Sequence, residues 1–366
     1  MSGFGETPEE TIRIVPGSAW SVPPAAHPVV LPPVRHGYPL AVRNASATAA
    51  FGLMLRSLPY ALARFAVLLA ASVVAIIWLV VTIGGGVWLG DHIAHVFAWN
   101  WIIGGIVVAS FVWGTILRYV LHIIACGHVA VLTELITKGS VGNGAESMFA
   151  YGRRVVTERF AQASVLFGLH ALVRGVVESF HRTLDWIAEL LPIPGMESVA
   201  SLINIVLRGA TRYLDKVIFS YNLARGDEDP WRSSREGLIY YAQNAKPVLK
   251  TAIWSVVLER LLSVVLFFLL LGPAVLVTLM LPHAVRETGA VATVLVALLL
   301  AGPLRAAFIK PLFLIMMMVR FHVCAEGQPI NPEWDARLSA LSQNFRGLGA
   351  DAAKTAGQSR WSKIWS

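Results

Sequence analysis

The chain is short of charge, of cysteine and of catalytic signatures, and each shortage excludes a class of protein. Of its 366 residues only 14% are Asp, Glu, Lys or Arg, against roughly 25% in a soluble domain. So small a supply cannot cover a water-facing surface of that size, which excludes a soluble enzyme and a nucleic-acid binder. The two cysteines, Cys126 and Cys324, both lie in apolar helical context and are too few for a disulfide framework. The N-terminal stretch lacks a charged region followed by an apolar one, so no cleaved signal peptide is expected and the first span does the targeting. There is no phosphate loop, nucleophile elbow or metalloprotease helix. Gly139, Gly142 and Gly144 lack the strand and the Lys-Ser pair that a phosphate cradle needs.

What the chain has is apolar sequence: 56% of residues are hydrophobic, and mean hydropathy is +0.63. Uncharged or nearly uncharged runs cover Phe65–Gly90, Leu261–Pro282 and Thr288–Leu304, and about 20 such residues cross a hydrocarbon core of roughly 30 Å. The pattern predicts an all-α, polytopic integral membrane protein with about six transmembrane helices. The net charge of +8 then reads as Lys and Arg held on the cytoplasmic side near anionic lipid, not as affinity for nucleic acid.

Residues 1–43 carry eight prolines and predict an extended or disordered cytoplasmic tail. Residues 44–325 form the helical transmembrane domain, and 326–366 a cytoplasmic amphipathic helix with a basic-aromatic tail. Phe51, Leu55 and Leu58 make an interfacial stripe ending at Pro59. The spans are expected at 60–83, closing at Gly84-Gly85-Gly86; from Trp99 toward Ile136; 160–177; 198–222; 251–281, with a break at Gly272-Pro273; and 288–304, resuming after Pro311. Arg43, Arg56 and Arg64, then Lys138, Arg153 and Arg154, then Arg225, Arg232 and Arg235 fall on one side. Both termini are therefore expected in the cytoplasm of a cell whose inner membrane holds the protein. Asn331-Pro332-Glu333 opens a helix whose apolar positions are Trp334, Leu338, Leu341, Phe345 and Leu348, facing either the membrane surface or the protein's own underside.

An internal echo is also present. Leu58-Pro59 and Lys246-Pro247, Arg118 and Arg305, and Lys138-Gly139 and Glu326-Gly327 recur at offsets of 188, 187 and 188 residues. A duplicated unit of one surface helix and two crossings accounts for them, as does chance likeness between two apolar hairpins.

The chemistry lies in polar periodicity. His170, Arg174, Glu178 and His181 fall on one helical face, as do Asn204, Arg208 and Asp215. A lone charge at mid-bilayer costs roughly 2.5–3.5 kcal/mol on insertion scales, so these stripes face one another or water. They read either as an ion-pair network holding the bundle or as the wall of a substrate path, which Tyr119 and His122 would join; Glu259-Arg260 fits either arrangement. His122, Cys126 and His128 lack the further ligands of a metal site, and neither metal nor other cofactor is expected. Trp101, Phe111, Trp113, Tyr119 and Phe167 are the nearest supply of aromatics for a cage around a quaternary ammonium.

Three stretches resemble the membrane core of the choline transporter-like family. Ile116-Leu117-Arg118-Tyr119-Val120-Leu121-His122 with Gly127 is similar to its aliphatic–basic–Asn–x–x–His helix, with Tyr119 in place of Asn. Arg153-Arg154, Thr157, Phe160 and Ser164 resemble the opening of its next span. Ser233-Ser234-Arg235-Glu236-Gly237-Leu238, ending at Gln243-Asn244, resembles a third motif. Family members have about ten spans, and the acidic turn 227–229 is additional here. The resemblance implies transport of choline or a related amine. With the polar stripes, it gives an expectation of a transporter-like permease for a small polar, zwitterionic or amine solute or a lipid headgroup. The rival expectation is a non-catalytic scaffold or accessory subunit bound to other membrane proteins. No nucleophile–base pair supports an enzyme.

Overall fold

The computed structural model describes residues 37–142, 146–159, 173, 175–177, 213–226, 229–280 and 282–350. Every regular element among them is helical. In chain order these are α1 (Ala47–Arg56), α2 (Leu58–His92), α3 (His95–Phe111), α4 (Arg118–Lys138), α5 (Met148–Arg159), α6 (213–225), α7 (Pro230–Gln243), α8 (Ala245–Met280), α9 (His283–Leu304), α10 (Lys310–Ala325) and α11 (Pro332–Leu341). The segments Val112–Leu117 and Arg305–Ile309 are π-helical and join α3 to α4 and α9 to α10 without a break.

Four of the resulting rods are long and apolar enough to cross a membrane: Leu58–His92, His95–Lys138, Ala245–Met280 and Thr293–Ala325. At 1.5 Å per residue even the shortest is about 50 Å long, well beyond a hydrocarbon core of roughly 30 Å, so each must continue past the bilayer. Burial shows where. On α2 the exposed apolar side chains run from Leu62 to Trp88, on α3–α4 from Val96 to Ile123, and on α8 from Trp254 to Met280. Below these points the same helices sink into a packed body. From Cys126 to Thr137 every residue of α4 is buried, as are Val248, Leu249, Ala252 and Ile253 of α8. Around them pack α6, α7 and α10, with Tyr221, Tyr240, Tyr241 and Phe321 at the centre. Two hairpins, α2–α3 and α8–α9, thus stand on one polar-sided base. The spans expected at 160–177 and 198–222 lie largely outside the described residues; the described end of the second, 213–222, belongs to the buried base.

Gly84-Gly85-Gly86 does not close the first span. The helix continues to His92, with Gly85 and Gly86 facing α3. A Cβ on Gly85 would lie 2.7 Å from Trp101 Nε1, and one on Gly86 2.7 Å from Ile102 Cγ1. Lipid supplies no hydrophobic drive between helices, so small residues that permit close approach hold such hairpins. Pro273 likewise lies within a continuous helix.

The echo at 188 residues is a repeat of structure. Pro59 and Pro247 each sit in the first turn of a rising helix, those helices end at His92 and Met280, and the returning helices start at His95 and His283. Each returning rod contains a π-turn, then stops at a left-handed glycine, Gly139 (φ 79°) or Gly327 (φ 68°), a conformation that glycine adopts without steric cost. Both rising helices leave the base and both returning helices re-enter it, so the two units have the same orientation and are not inverted.

The segments flanking the hairpins are docked on the base. Residues 37–43 are extended, and the Ala41 N–H donates to the Ile136 carbonyl at 3.0 Å. Arg43 pairs with Glu326 at 2.8 Å. In α1 the face carrying Phe51 and Leu55 is exposed, each to 50%, while Leu53 and Met54 are buried. The C-terminal apolar face covers the protein's own underside: Leu338, Phe345 and Leu348 are buried, and Arg235 holds Asp335 through two bonds of 3.0 and 2.9 Å. Outside the base, Arg154 donates to Glu146 (2.8 Å), and those bonds hold the Glu146 carboxyl below its usual range.

Candidate functional site

Where the hairpins meet the base, a cavity of about 130 Å³ opens between the two repeats. The first repeat contributes Arg64 from α2 and Ala125 and His128 from α4. The second contributes Val256, Glu259 and Arg260 from α8, Arg305 from the π-turn, and Lys310, Pro311 and Leu314 from α10; Tyr213 and Lys216 come from α6. Helix geometry explains the convergence. Arg64 is on the second turn of α2, just where its exposed apolar face begins. Glu259 is buried on the fourth turn of α8 and Arg260, its neighbour, is exposed. The π-turn widens the helix at Arg305, and such turns are frequent at functional sites.

Arg305 reaches Glu259 with Nε at 3.2 Å and an NH2 group at 2.8 Å, both to Oε1. The Tyr213 hydroxyl donates to the other oxygen, Oε2, in a short contact. Glu259 is therefore satisfied on both oxygens. Arg64, Lys216, Arg260, Arg305 and Lys310 line the cavity beside Glu259, the one carboxylate among its described lining residues. Lys216 also approaches Asp215 at 3.6 Å, outside the lining. Arg64 Nε is buried with no hydrogen-bond partner among the described residues. Beside it His128 Nε2 meets Ser57 Oγ at 3.0 Å, fixing the α1–α2 junction to α4. Such an arrangement binds anions: guanidinium groups present paired donors to carboxylate or phosphate oxygens, and ammonium groups add point charge.

Of the residues expected at a substrate path, His170, Arg174, Glu178, Asn204 and Arg208 lie outside the described residues. Asp215 is buried next to the cavity and accepts from the Lys216 backbone N–H at 2.9 Å. His122 is half-buried, with Nε2 3.5 Å from Cys126 Sγ. Tyr119, Trp101, Phe111 and Trp113 are 44–62% exposed along α3–α4, with Trp101 packed against α2, so these four aromatics do not converge on a cage among the described residues. Phe167 lies outside the described residues. No group of three or more possible metal ligands occurs among the described residues. Arg64 reads in the sequence as a loop charge, and nothing in the local pattern singles out Lys216, Lys310 or Tyr213. The available signal was that Arg64, Glu259, Arg260, Arg305 and Lys310 all sit at the margins of apolar runs.

A second polar group is sealed in the base. Tyr38 Oη is 2.6 Å from His322 Nδ1, His322 Nε2 is 2.8 Å from Ser220 Oγ, and Ser220 Oγ is 2.7 Å from Thr133 Oγ1. Thr133 donates to the Val129 carbonyl at 2.7 Å, which sets the direction of the chain. Thr133 accepts from Ser220, Ser220 accepts from His322 Nε2–H, and His322 Nδ1 accepts from Tyr38. Burial pushes the Tyr38 phenol well above its usual pKa, keeping it a donor. Ser220 and His322 have no exposed surface, so this Ser–His pair is a clamp between α4, α6, α10 and the N-terminal segment, with no route for a substrate.

No protein-family model matches the chain, and no curated protein or solved structure matches it either.

Proposed function

We propose that the protein is a transporter-like permease of the cell's inner membrane, with six crossings and both termini cytoplasmic, and that it acts on a small zwitterionic or anionic solute or a lipid headgroup. The cavity between two copies of one repeat carries this reading, because transporters built from repeats bind substrate at the repeat interface. Charged groups at membrane depth are functional candidates in their own right. The cations lining the cavity, and the lack of convergence of Trp101, Phe111, Trp113 and Tyr119 among the described residues, weigh against free choline, the solute that the family resemblance implies.

Uptake into sealed proteoliposomes tests the reading. Phosphocholine flux should exceed choline flux, and Arg305→Gln should remove the difference. Choline moving faster, with no effect of that substitution, would overturn the anion preference. If no solute moves and a stoichiometric membrane partner copurifies, the chain is a scaffold or accessory subunit.

A further inference from the structure

We infer that the cavity binds the phosphate of a headgroup or phosphate ester, and that Glu259 is a built-in anion that holds Arg305 until the phosphate displaces it. The inference deepens the permease reading by naming the ligand of the same cavity.

Charge makes the first argument. Arg64, Arg260 and Arg305 bring three guanidinium groups to a space with one carboxylate, Glu259, among its described lining residues, and Arg64 Nε is buried without a hydrogen-bond partner among the described residues; such an arrangement favours an anion with several acceptor atoms. Glu259 supplies one negative charge and spends its two oxygens on Arg305 and Tyr213. A phosphate brings up to two negative charges and offers more oxygens to Arg64, Arg305, Lys310 and the Tyr213 hydroxyl than a carboxylate can. Because Arg305 meets Glu259 through one oxygen, Oε1, it can turn from that oxygen to an incoming phosphate while Tyr213 keeps Glu259 in place.

Depth makes the second. The exposed apolar band begins at Leu62 on α2 and Trp254 on α8. Arg64 is two residues above the first mark, and Glu259 and Arg260 are five and six above the second, about 3 Å and 8–9 Å along their axes. They lie just inside the edge of that band, from where long basic side chains snorkel to the headgroup phosphates. Exposed Arg260 is flanked by Leu258 (39% exposed), Leu261 (57%) and Leu262 (39%), which gives a lipid a path along α8 with its acyl chains outside and its phosphate turned inward.

The experiment measures equilibrium binding to the full chain in phosphatidylcholine nanodiscs, with phosphatidic acid as the lipid probe and glycerol 3-phosphate as the soluble one. Choline and oleate are the cation and carboxylate controls, and native mass spectrometry reads what is retained. A phosphate probe should bind in preference to both controls. Glu259→Gln, which removes the competing charge but keeps an acceptor for Tyr213, should tighten binding about tenfold; Arg305→Gln, which strands Glu259 as an uncompensated anion, should weaken it about tenfold. If Arg305→Gln does not fold, Arg64→Gln carries the same expected loss. Selective retention of phosphatidic acid that Arg260→Gln diminishes assigns the source to lipid; competition by glycerol 3-phosphate assigns it to a free ester, and either supports the phosphate. Equal binding of oleate or choline, or unchanged or weakened binding in Glu259→Gln, overturns the proposal. Because no flux is measured, binding without transport would remove the permease and leave this inference standing. Transport indifferent to phosphate and to Glu259→Gln would do the reverse.

Discussion

The contact between α4 and α5 has so little space that adding one methyl group should be felt by the whole fold. Gly152 of α5 faces Gly127 of α4 across the Tyr60 hydroxyl. A Cβ at Gly152 would overlap the Tyr60 oxygen and lie 3.0 Å from the Gly127 carbonyl oxygen and 3.1 Å from Tyr60 Cζ; one at Gly127 would lie 2.7 Å from the same hydroxyl. The ring has nowhere to go. It is stacked on His128 at 5.5 Å with an interplanar angle of 3° and lies 4.6 Å from Phe149. In Gly152→Ala the strain must therefore lift α5 from α4, at a cost of about 2–3 kcal/mol on the scale of overpacked cores. Tyr60→Phe deletes the one atom that overlaps and leaves the two contacts near 3 Å, so the double variant should recover about half of that loss. Thermal unfolding of the detergent-solubilised protein measures all three variants against wild type. Gly152→Ala melting with the wild type would refute the geometry. Strictly additive losses in the double variant would show that the hydroxyl is not the obstacle.

Two further expectations follow from the clamp and from the hairpins. Tyr38→Phe removes the donor that begins the chain through His322, Ser220 and Thr133, leaves a buried acceptor without a partner, and should cost about 1–2 kcal/mol in the same unfolding assay; unchanged stability would mean that water or another donor replaces it. Single cysteines at positions 30 and 355 should label from the cytoplasm and at 92 and 287 from the opposite face. Labelling at 190 from the cytoplasm would reduce the proposed six crossings to four.

The helical, membrane-crossing character of the chain was legible because it is a property of composition over long windows. The side chains that face lipid, from Leu62 to Trp88 and from Trp254 to Met280, are the apolar runs themselves. Local stop signals were less legible. Gly84-Gly85-Gly86 has the composition of a helix end, yet its last two glycines pack against Trp101 and Ile102 across the hairpin, and sequence order does not show that partner. Asn331, by contrast, caps the helix that it is expected to start, through a bond to the N–H group of Glu333 at 2.8 Å, as Asp229 caps α7 at the N–H of Trp231 at 2.9 Å, because a cap acts only on its own next turn.

The cavity was hidden for a more particular reason, and the repeat shows it. At the offset of 188 residues that aligns the two units, Arg64 corresponds to Ala252, Glu259 to Ala71, Arg260 to Ser72, Arg305 to Leu117 and Lys310 to His122. The helix-opening prolines, helix ends and left-handed glycines are matched between the copies, since both must turn and stop the backbone in the same places. Apart from Arg305, which has Arg118 one residue from its counterpart, the charged residues of the cavity are not matched. Each lies opposite an uncharged or small residue in the other copy, His122 alone being titratable. Comparing the halves of the sequence therefore finds the architecture and passes over the chemistry. Packing the halves together brings the unmatched cations of both to one side, and so the described structure has one cationic cavity between two similar units where strict duplication would have made two. A site formed by divergence of a repeat is legible only after the copies are superposed, because its signature is the set of positions at which they disagree.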